Sequence, residues 1–275
     1  MKKFLLLAGL AFSISSTAQD VVFDDGTRVK VNHASFDYEN IRRASFGMIL
    51  NLDGIAGSKI LTASYLQPEK FHIAANVGFS GASLETTVFF SGQTKEKEMS
   101  FAVKYQAAGY NTIKRYSLKT AVRKRNEWGI YAAVNDYGHL WDEGEGETVD
   151  NYPFLKQTQV FAGICAATYW HSHLNVDDNS KRRGQHFRRA IVAPFIAFGS
   201  VPDSSNYTAD NVPRYGIRFM YEVSRTFGLL GAKIRGRTNF IFRAGIDLAT
   251  NKNKNFYRPG IFGFGVVYNF AEGAN

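Results

Sequence analysis

Apolar and polar residues alternate along most of this chain, in runs of about ten residues. The clearest run, residues 71–79, reads FHIAANVGF, and further runs occupy 99–106, 215–223 and 240–248. Because successive side chains of a β-strand point to opposite faces, each run predicts a strand with one apolar and one mostly small or polar face. Beyond the first residues, no window approaches 18 consecutive apolar residues, as a transmembrane helix would require. The sequence therefore predicts an all-β protein.

Strand length and composition favour a membrane barrel over a soluble sandwich. The runs match the roughly 9–11 residues of a tilted membrane strand, whereas ordinary strands hold about 5–6. Aromatic residues make up 15% of the chain, and many lie at run ends, where membrane barrels carry aromatic girdles. We therefore predict a closed antiparallel transmembrane β-barrel. A soluble periplasmic β protein is the alternative, because it would show the same alternation.

The first 18 residues have the pattern of a cleaved signal peptide. Lys2 and Lys3 precede the apolar stretch 4–12, and the small residues 16–18 suit a signal peptidase. The apolar stretch is too short for a membrane-spanning helix, which needs about 20 residues. We expect cleavage after Ala18 and export from the cytoplasm.

Twelve candidate strands follow, an even number as in bacterial barrels. Short strands are easily merged, so we expect roughly ten to fourteen. Two of the predicted turns are 92–95 (GQTK) and 123–126 (RKRN). The predicted strands are 43–52, 58–67, 70–79, 83–91, 98–107, 112–122, 127–136, 157–170, 187–198, 213–223, 238–249 and 260–270.

The chain divides into a short extension, one barrel and a tail. Residues 19–42 form a predicted periplasmic extension, either a hairpin turning at Asp25-Gly26 or a plug. The barrel occupies 43–270, and 271–275 remain as a tail. If both barrel ends are periplasmic, the predicted loop 171–186 is periplasmic too, and it is unusually long for that side.

The last predicted strand, residues 261–270 (IFGFGVVYNF), carries the most specific pattern in the chain. It resembles the final strand of the bacterial outer-membrane β-barrel superfamily, which alternates apolar residues, ends in an aromatic one and is recognised by the barrel-assembly machinery. The five-residue tail after Phe270 departs from that pattern. Composition and layout also resemble outer-membrane barrels of Bacteroidetes, including the PorT-like group linked to secretion of surface proteins. The residues that carry the resemblance are Phe262, Phe264, Val266, Tyr268 and Phe270.

This resemblance implies a place in the outer membrane of a Gram-negative bacterium. The implied partners are membrane lipids including lipopolysaccharide, the assembly machinery, and a periplasmic or secretion-system protein. The net charge of +9 could indicate nucleic acid, but an exported chain with dispersed charges fits anionic headgroups or a basic lumen better.

One segment has the residue types of a reactive site. His171 and His173 share one side of an extended strand, about 6–7 Å apart. With Asp177 or Asp178 they could hold Zn²⁺ or activate a water. No motif of an outer-membrane protease or lipid A deacylase is matched in order and spacing, so we assign no catalytic residue and no metal.

We expect a non-enzymatic barrel that is either a small porin-like conduit or a structural or secretion-associated component. An outer-membrane hydrolase directed at lipid A or peptide, using the two histidines, is the alternative. No cofactor is expected, because the chain holds no glycine-rich phosphate motif and no CxxC pair. The single cysteine, Cys165, lies among apolar residues and is predicted to be packed.

Overall fold

The computed structural model describes nine ranges of the chain. They are 19–51, 58–78, 81–109, 112–140, 154–176, 181–200, 215–226, 238–249 and 260–270. The predicted signal peptide and the tail 271–275 lie outside these ranges. No helix within them is long and apolar enough to cross a membrane.

Within these nine ranges, twelve strands make up a single sheet. In chain order they are β1 Gln19–Val22, β2 Arg28–Ser35, β3 Ala44–Asn51, β4 Ser58–Gln67, β5 Phe71–Gly78, β6 Gly81–Gly109, β7 Thr112–Leu140, β8 Phe154–Val176, β9 Lys181–Ser200, β10 Tyr215–Thr226, β11 Thr238–Ala249 and β12 Gly260–Phe270. One short 3-10 turn, Tyr38–Asn40, lies between β2 and β3.

The ten strands β3 to β12 form a closed wall. Each pairs antiparallel with its neighbours in chain order, and β12 pairs with β3 from Gly263↔Asn51 to Phe270↔Ala44. The prediction of an all-β, closed antiparallel barrel is therefore confirmed.

The expectation of about twelve barrel strands is wrong, because two predicted turns continue as strand. Residues 92–95 remain paired with 124–127, so β6 contains two predicted strands and β7 contains two more. A register shift between Phe89 and Ser91 is the only irregularity recorded near the predicted turn in β6. Glycine and charged residues there tolerate an exposed ribbon as readily as a turn, which explains the error.

Side chains of the wall alternate strictly between the outside and the lumen. On β5 the burial alternates so that His72, Ala74 and Asn76 point inward while Ile73 and Val77 are exposed. The predicted alternation is present on β5, β10 and β11, where the apolar face is the outer face and the mostly small or polar face lines the lumen.

Both ends of the wall lie at the same end of the barrel, since the first residue of β3 pairs with the last of β12. We call this the terminal end. The last residues of β4, β6, β8 and β10 and the first residues of β5, β7, β9 and β11 also lie there. The predicted loop 171–186 is at this end as well, but most of it is strand, because β8 and β9 pair as far as Asn175↔Lys181.

A two-layered projection extends beyond the wall at the terminal end. It consists of β1, β2, the β6–β7 ribbon (residues 90–109 and 112–124) and the paired ends of β8 and β9 near Asn175 and Lys181. Strand β2 pairs with the end of β8, from Val31↔Val176 to Ser35↔His173. The buried core between the layers is Val29, Val31, Val103, Tyr116, Leu174 and Val176.

The N-terminal hairpin turns at the predicted residues. Gly26 has φ +79°, a left-handed conformation that favours glycine, and the Thr27 N–H donates to Asp25 Oδ1 over 3.1 Å. Asp25 also accepts from the Tyr116 hydroxyl over 2.8 Å and pairs with Lys114. These contacts tie the hairpin to the β6–β7 ribbon.

Closure of the wall depends on close backbone approach between β3 and β12. A Cβ added at Gly47 would overlap the main-chain oxygen of Val266, and the same holds for Gly265 against Met48. We expect Gly47→Ala to lower the free energy of unfolding by about 1–3 kcal/mol, as overpacking commonly does. Equilibrium unfolding of the refolded protein in detergent would measure this.

Gly92→Ala is the matched control. The three atoms nearest to its added Cβ belong to the guanidinium of Arg125, the closest at 2.6 Å, and the end of a side chain moves aside more readily than main chain. Equal loss of stability in the two variants would contradict the close approach at the seam.

The hairpin contact should respond to acid. Hydrogen bonds from Lys114, Tyr116 and Thr27 hold the pKa of Asp25 well below its ordinary value of 3.8. A carboxylate with a lowered pKa stabilises the folded form fully above the ordinary pKa and loses that contribution as the pH falls through the lowered one. We expect the rate at which pepsin cleaves the hairpin, divided by its rate on an unfolded substrate at the same pH, to rise as the pH falls below about 4. Asp25→Asn should remove this rise. Asp24→Asn, at the exposed neighbour, should leave it unchanged.

Candidate functional site: a charged barrel interior

Five polar side chains meet in the middle of the lumen, and we call them the lumen cluster. They are His72, Glu85, Arg189, Glu222 and Arg243. All five are buried, with Arg189 only 1% exposed. They come from the inward faces of β5, β6, β9, β10 and β11. The cluster therefore joins strands from opposite sides of the barrel.

Arg189 carries the contact that crosses the lumen. Its Nη2 donates to Glu85 Oε2 over 2.7 Å, although β6 and β9 are separated in the wall by β7 and β8. On its own side of the barrel, Nε donates to Glu222 Oε1 over 3.1 Å. One guanidinium thus connects two carboxylates on opposite walls.

Arg243 completes the charge balance. Its Nε donates to Glu222 Oε2 over 2.8 Å, and its Nη1 lies 3.7 Å from Glu85 Oε1. Asn76 donates a further bond to Glu85 Oε1 over 3.3 Å. Two guanidinium groups and two carboxylates leave no net charge. Burial is tolerable because each charge has a partner of opposite sign.

A second ion pair lies on neighbouring strands. Arg218 on β10 forms a two-pronged contact with Asp247 on β11, both N–O distances being 2.7 Å. The guanidinium carbon lies 4.0 Å from the ring centre of Phe161, in cation–π contact. This pair and its aromatic neighbour fill lumen space next to the lumen cluster.

Apolar side chains fill much of the remaining interior. Cys165 is 1% exposed and belongs to this filling, so its predicted packed position is confirmed. The cluster consists of Tyr131, Ala133, Phe161, Cys165, Ile191, Ala193, Phe195, Ala197 and Met220.

Residues 36–43, which we call the plug segment, cover the terminal end of the lumen. Ile41 is fully buried against wall residues such as Leu66 and Tyr169. The main chain of Arg42 is held at both ends by one side chain: its N–H donates to Gln185 Oε1 over 2.9 Å, and its carbonyl accepts from Gln185 Nε2 over 3.2 Å. Residues 36–42 of the predicted extension 19–42 thus pack against the wall at this end of the lumen.

Between the plug segment and the lumen cluster lies a polar cavity of about 40 Å³. Thr62, His72, Ser224 and Arg243 are among its lining residues. It has room for a few water molecules at most, since one water needs roughly 10–15 Å³ by this kind of measure. This cavity is therefore too small to hold a solute much larger than water.

Both histidines of the predicted reactive segment lie on β8 near the terminal end. His171 lies on β8 opposite Gln185 and is buried, and His173 lies between Arg183 of β9 and Ser35 of β2. Asp177 and Asp178 lie outside the described residues. Within the described ranges, no group of three or more His, Cys, Asp or Glu side chains could hold a metal ion.

The residues of the predicted assembly strand share the outer face of β12. Their exposed fractions lie between 42% and 46%, a uniform apolar ridge beside the closing seam. They are Phe262, Phe264, Val266, Tyr268 and Phe270.

No sequence motif marks the lumen cluster as a site. Four of the lumen charges, Arg218, Glu222, Arg243 and Asp247, do lie on the polar faces of the predicted strands 213–223 and 238–249. Opposite charges also recur at paired positions, as in Arg218↔Asp247 and Glu222↔Arg243. Opposite charges on neighbouring strands could therefore have indicated these ion pairs from the sequence. Nothing in the sequence indicates the contact between Arg189 and Glu85, because it depends on barrel closure.

Comparison of the chain with family models, with curated proteins and with solved structures gave no match. The description of the chain as a closed antiparallel β-barrel with a filled interior therefore rests on the structure alone.

Removal of the central arginine tests the role of the lumen cluster. We expect Arg189→Met to lower the free energy of unfolding by about 3–5 kcal/mol, because it leaves Glu85 and Glu222 short of buried positive charge. Denaturant unfolding in detergent would measure the loss.

Arg28→Met, an equal change at an exposed position of β2, is the control and should stay within about 0.5 kcal/mol of wild type. A similarly small effect for Arg189→Met would show that the cluster does not hold the barrel together.

Proposed function

We propose that this protein is a non-enzymatic β-barrel of a Gram-negative outer membrane, with a filled lumen and a structural or secretion-associated role. The single observation that carries the proposal is the inverted polarity of the wall. Large apolar side chains are exposed on the outside of every wall strand, while paired charges are buried inside. A membrane barrel has this distribution because its outer face meets hydrocarbon.

A soluble barrel of the same shape would not be expected to expose this surface. Soluble monomers rarely expose contiguous apolar patches beyond a few hundred Å². Here the exposed residues include Phe46 on β3, Ile130 on β7, Phe219 on β10 and Phe242 on β11, so the patch surrounds the wall. Its continuity supports membrane insertion over the soluble alternative.

The height of the apolar band also suits a bilayer. On β12 the exposed apolar residues extend from Phe262 to Phe270. That is about 26 Å along a strand at about 3.3 Å per residue. A tilt of about 40° converts this to about 20 Å of height, close to the roughly 25 Å band of outer-membrane barrels.

The closed interior favours a structural role over a porin-like conduit. Solute would have to pass both the lumen cluster and the plug segment, and each is held by several hydrogen bonds. In this proposal the terminal end faces the periplasm. The projection then offers a folded surface to a periplasmic or secretion-system partner, and β12 is the strand that the assembly machinery recognises.

Two measurements test this function. Membrane fractionation combined with gel mobility before and after boiling should show an outer-membrane protein whose folded form migrates differently from the boiled one. Planar bilayers containing the refolded protein should stay electrically silent, because the lumen cluster crosses the interior.

Recovery of the full-length protein from the soluble periplasmic fraction would refute the membrane assignment. Steady single-channel steps would refute the closed lumen and restore the conduit.

A further inference from the structure

Four neighbouring strands place a basic and aromatic row on the outer face, near the terminal end. Trp170 of β8 pairs with His186 of β9, and His186 pairs with Arg225 of β10. Arg125↔Tyr169 is the last recorded pair between β7 and β8, so Lys124 is next in register beside Trp170. Lys124 Nζ lies 5.7 Å from the centre of the Trp170 ring, which confirms that the two side chains meet.

Arg188 lies two residues beyond His186 on β9, nearer to the apolar band. It pairs with Thr168 and Val223, and its side chain is exposed. Two residues along a strand correspond to about 6.6 Å. Arg188 is thus close to the row formed by Lys124, Trp170, His186 and Arg225. Lys97 of β6 is also near enough to Lys124 to repel its charge.

Within the described part of the chain, these cations lack negative partners. Lys124, Arg188 and Arg225 form no ion pair there, and the charged neighbours recorded for Lys124 are Lys97, Arg188 and Arg225. The lumen cations behave differently, since each of them is paired with a carboxylate. Converging positive charges without counter-charges suit an external anion.

Next to Arg188, on the side of the apolar band, small side chains leave a depression in the outer surface. Ala166 and Ala190 pair across β8 and β9, and they are flanked by Trp128 on β7 and Tyr221 on β10. The next step along the barrel is apolar, with Ile164 paired to Val192. The small residues leave a depression between two aromatic side chains, with the cations at its lower end.

We propose that this surface binds an anionic glycerophospholipid of the leaflet at the terminal end. The lipid phosphate lies among Lys124, Arg188 and Arg225, and one acyl chain lies along the Ala166–Ala190 depression. Trp128 and Tyr221, both exposed beside the depression, mark the level of the membrane interface, where tryptophan and tyrosine are enriched in membrane proteins. Trp170 itself is buried against Phe101 of the β6–β7 ribbon. This inference rests on the proposed membrane function.

Native mass spectrometry of the refolded protein in detergent tests the site, with phosphatidylglycerol, phosphatidylcholine and sn-glycerol 3-phosphate as ligands. We expect one phosphatidylglycerol molecule to be retained preferentially. The double variant Arg188→Gln, Arg225→Gln should weaken its retention by roughly 30-fold, the loss expected when two cations near an anionic lipid are removed.

Two further variants serve as a charge-matched control and as a test of the acyl-chain depression. Arg115→Gln with Lys119→Gln removes the same charge from exposed positions of the projection and should retain lipid as wild type does. Ala190→Phe fills the depression while keeping every cation, and it should also weaken retention of the lipid.

The outcomes distinguish this site from the membrane function itself. Equal retention of the anionic and zwitterionic lipids, or full retention by the arginine double variant, would overturn the site while a heat-modifiable, membrane-inserted barrel still stands. Equal binding of sn-glycerol 3-phosphate would assign the cations to a soluble phosphate and overturn the lipid. A chain that enters no bilayer would overturn both.

Discussion

Closure of the sheet between β12 and β3 is the constraint on which the rest of the structure depends. An open sheet would leave backbone N–H and C=O groups unpaired at its edges, which is costly wherever water is absent. Pairing of the first and last wall strands removes those edges. It also defines an enclosed interior that only inward side chains can occupy.

The interior of a ten-stranded wall is wide enough to hold charged side chains and narrow enough for them to meet. Arg189 reaches Glu85 across it, and the balance of two arginines and two glutamates makes burial tolerable. The plug segment then covers the terminal end. Wall, cluster and plug together favour a protein whose surfaces, rather than its lumen, carry the function.

The sequence could predict the wall because period-two alternation follows from strand geometry alone. Ile73 and Val77 on one face and His72 and Asn76 on the other were assigned to their strand faces without any knowledge of contacts. Strands 98–107 and 112–122 of the β6–β7 ribbon were predicted, but their continuation through 92–95 and 123–126 was not, because glycine and charged residues suit turns and exposed strands alike. The contact of Arg189 with Glu85 could not be predicted from the sequence, since it depends on which strands face each other after closure.

The seam between β3 and β12 has a kinetic consequence. Ala44 and Phe270 are adjacent in space but separated by nearly the whole barrel sequence. Contacts so distant along the chain carry a high loop-closure entropy and form slowly. Until they form, both edge strands are open to pairing with other chains. Biogenesis therefore demands that the unfinished sheet be shielded until its final strand has been made.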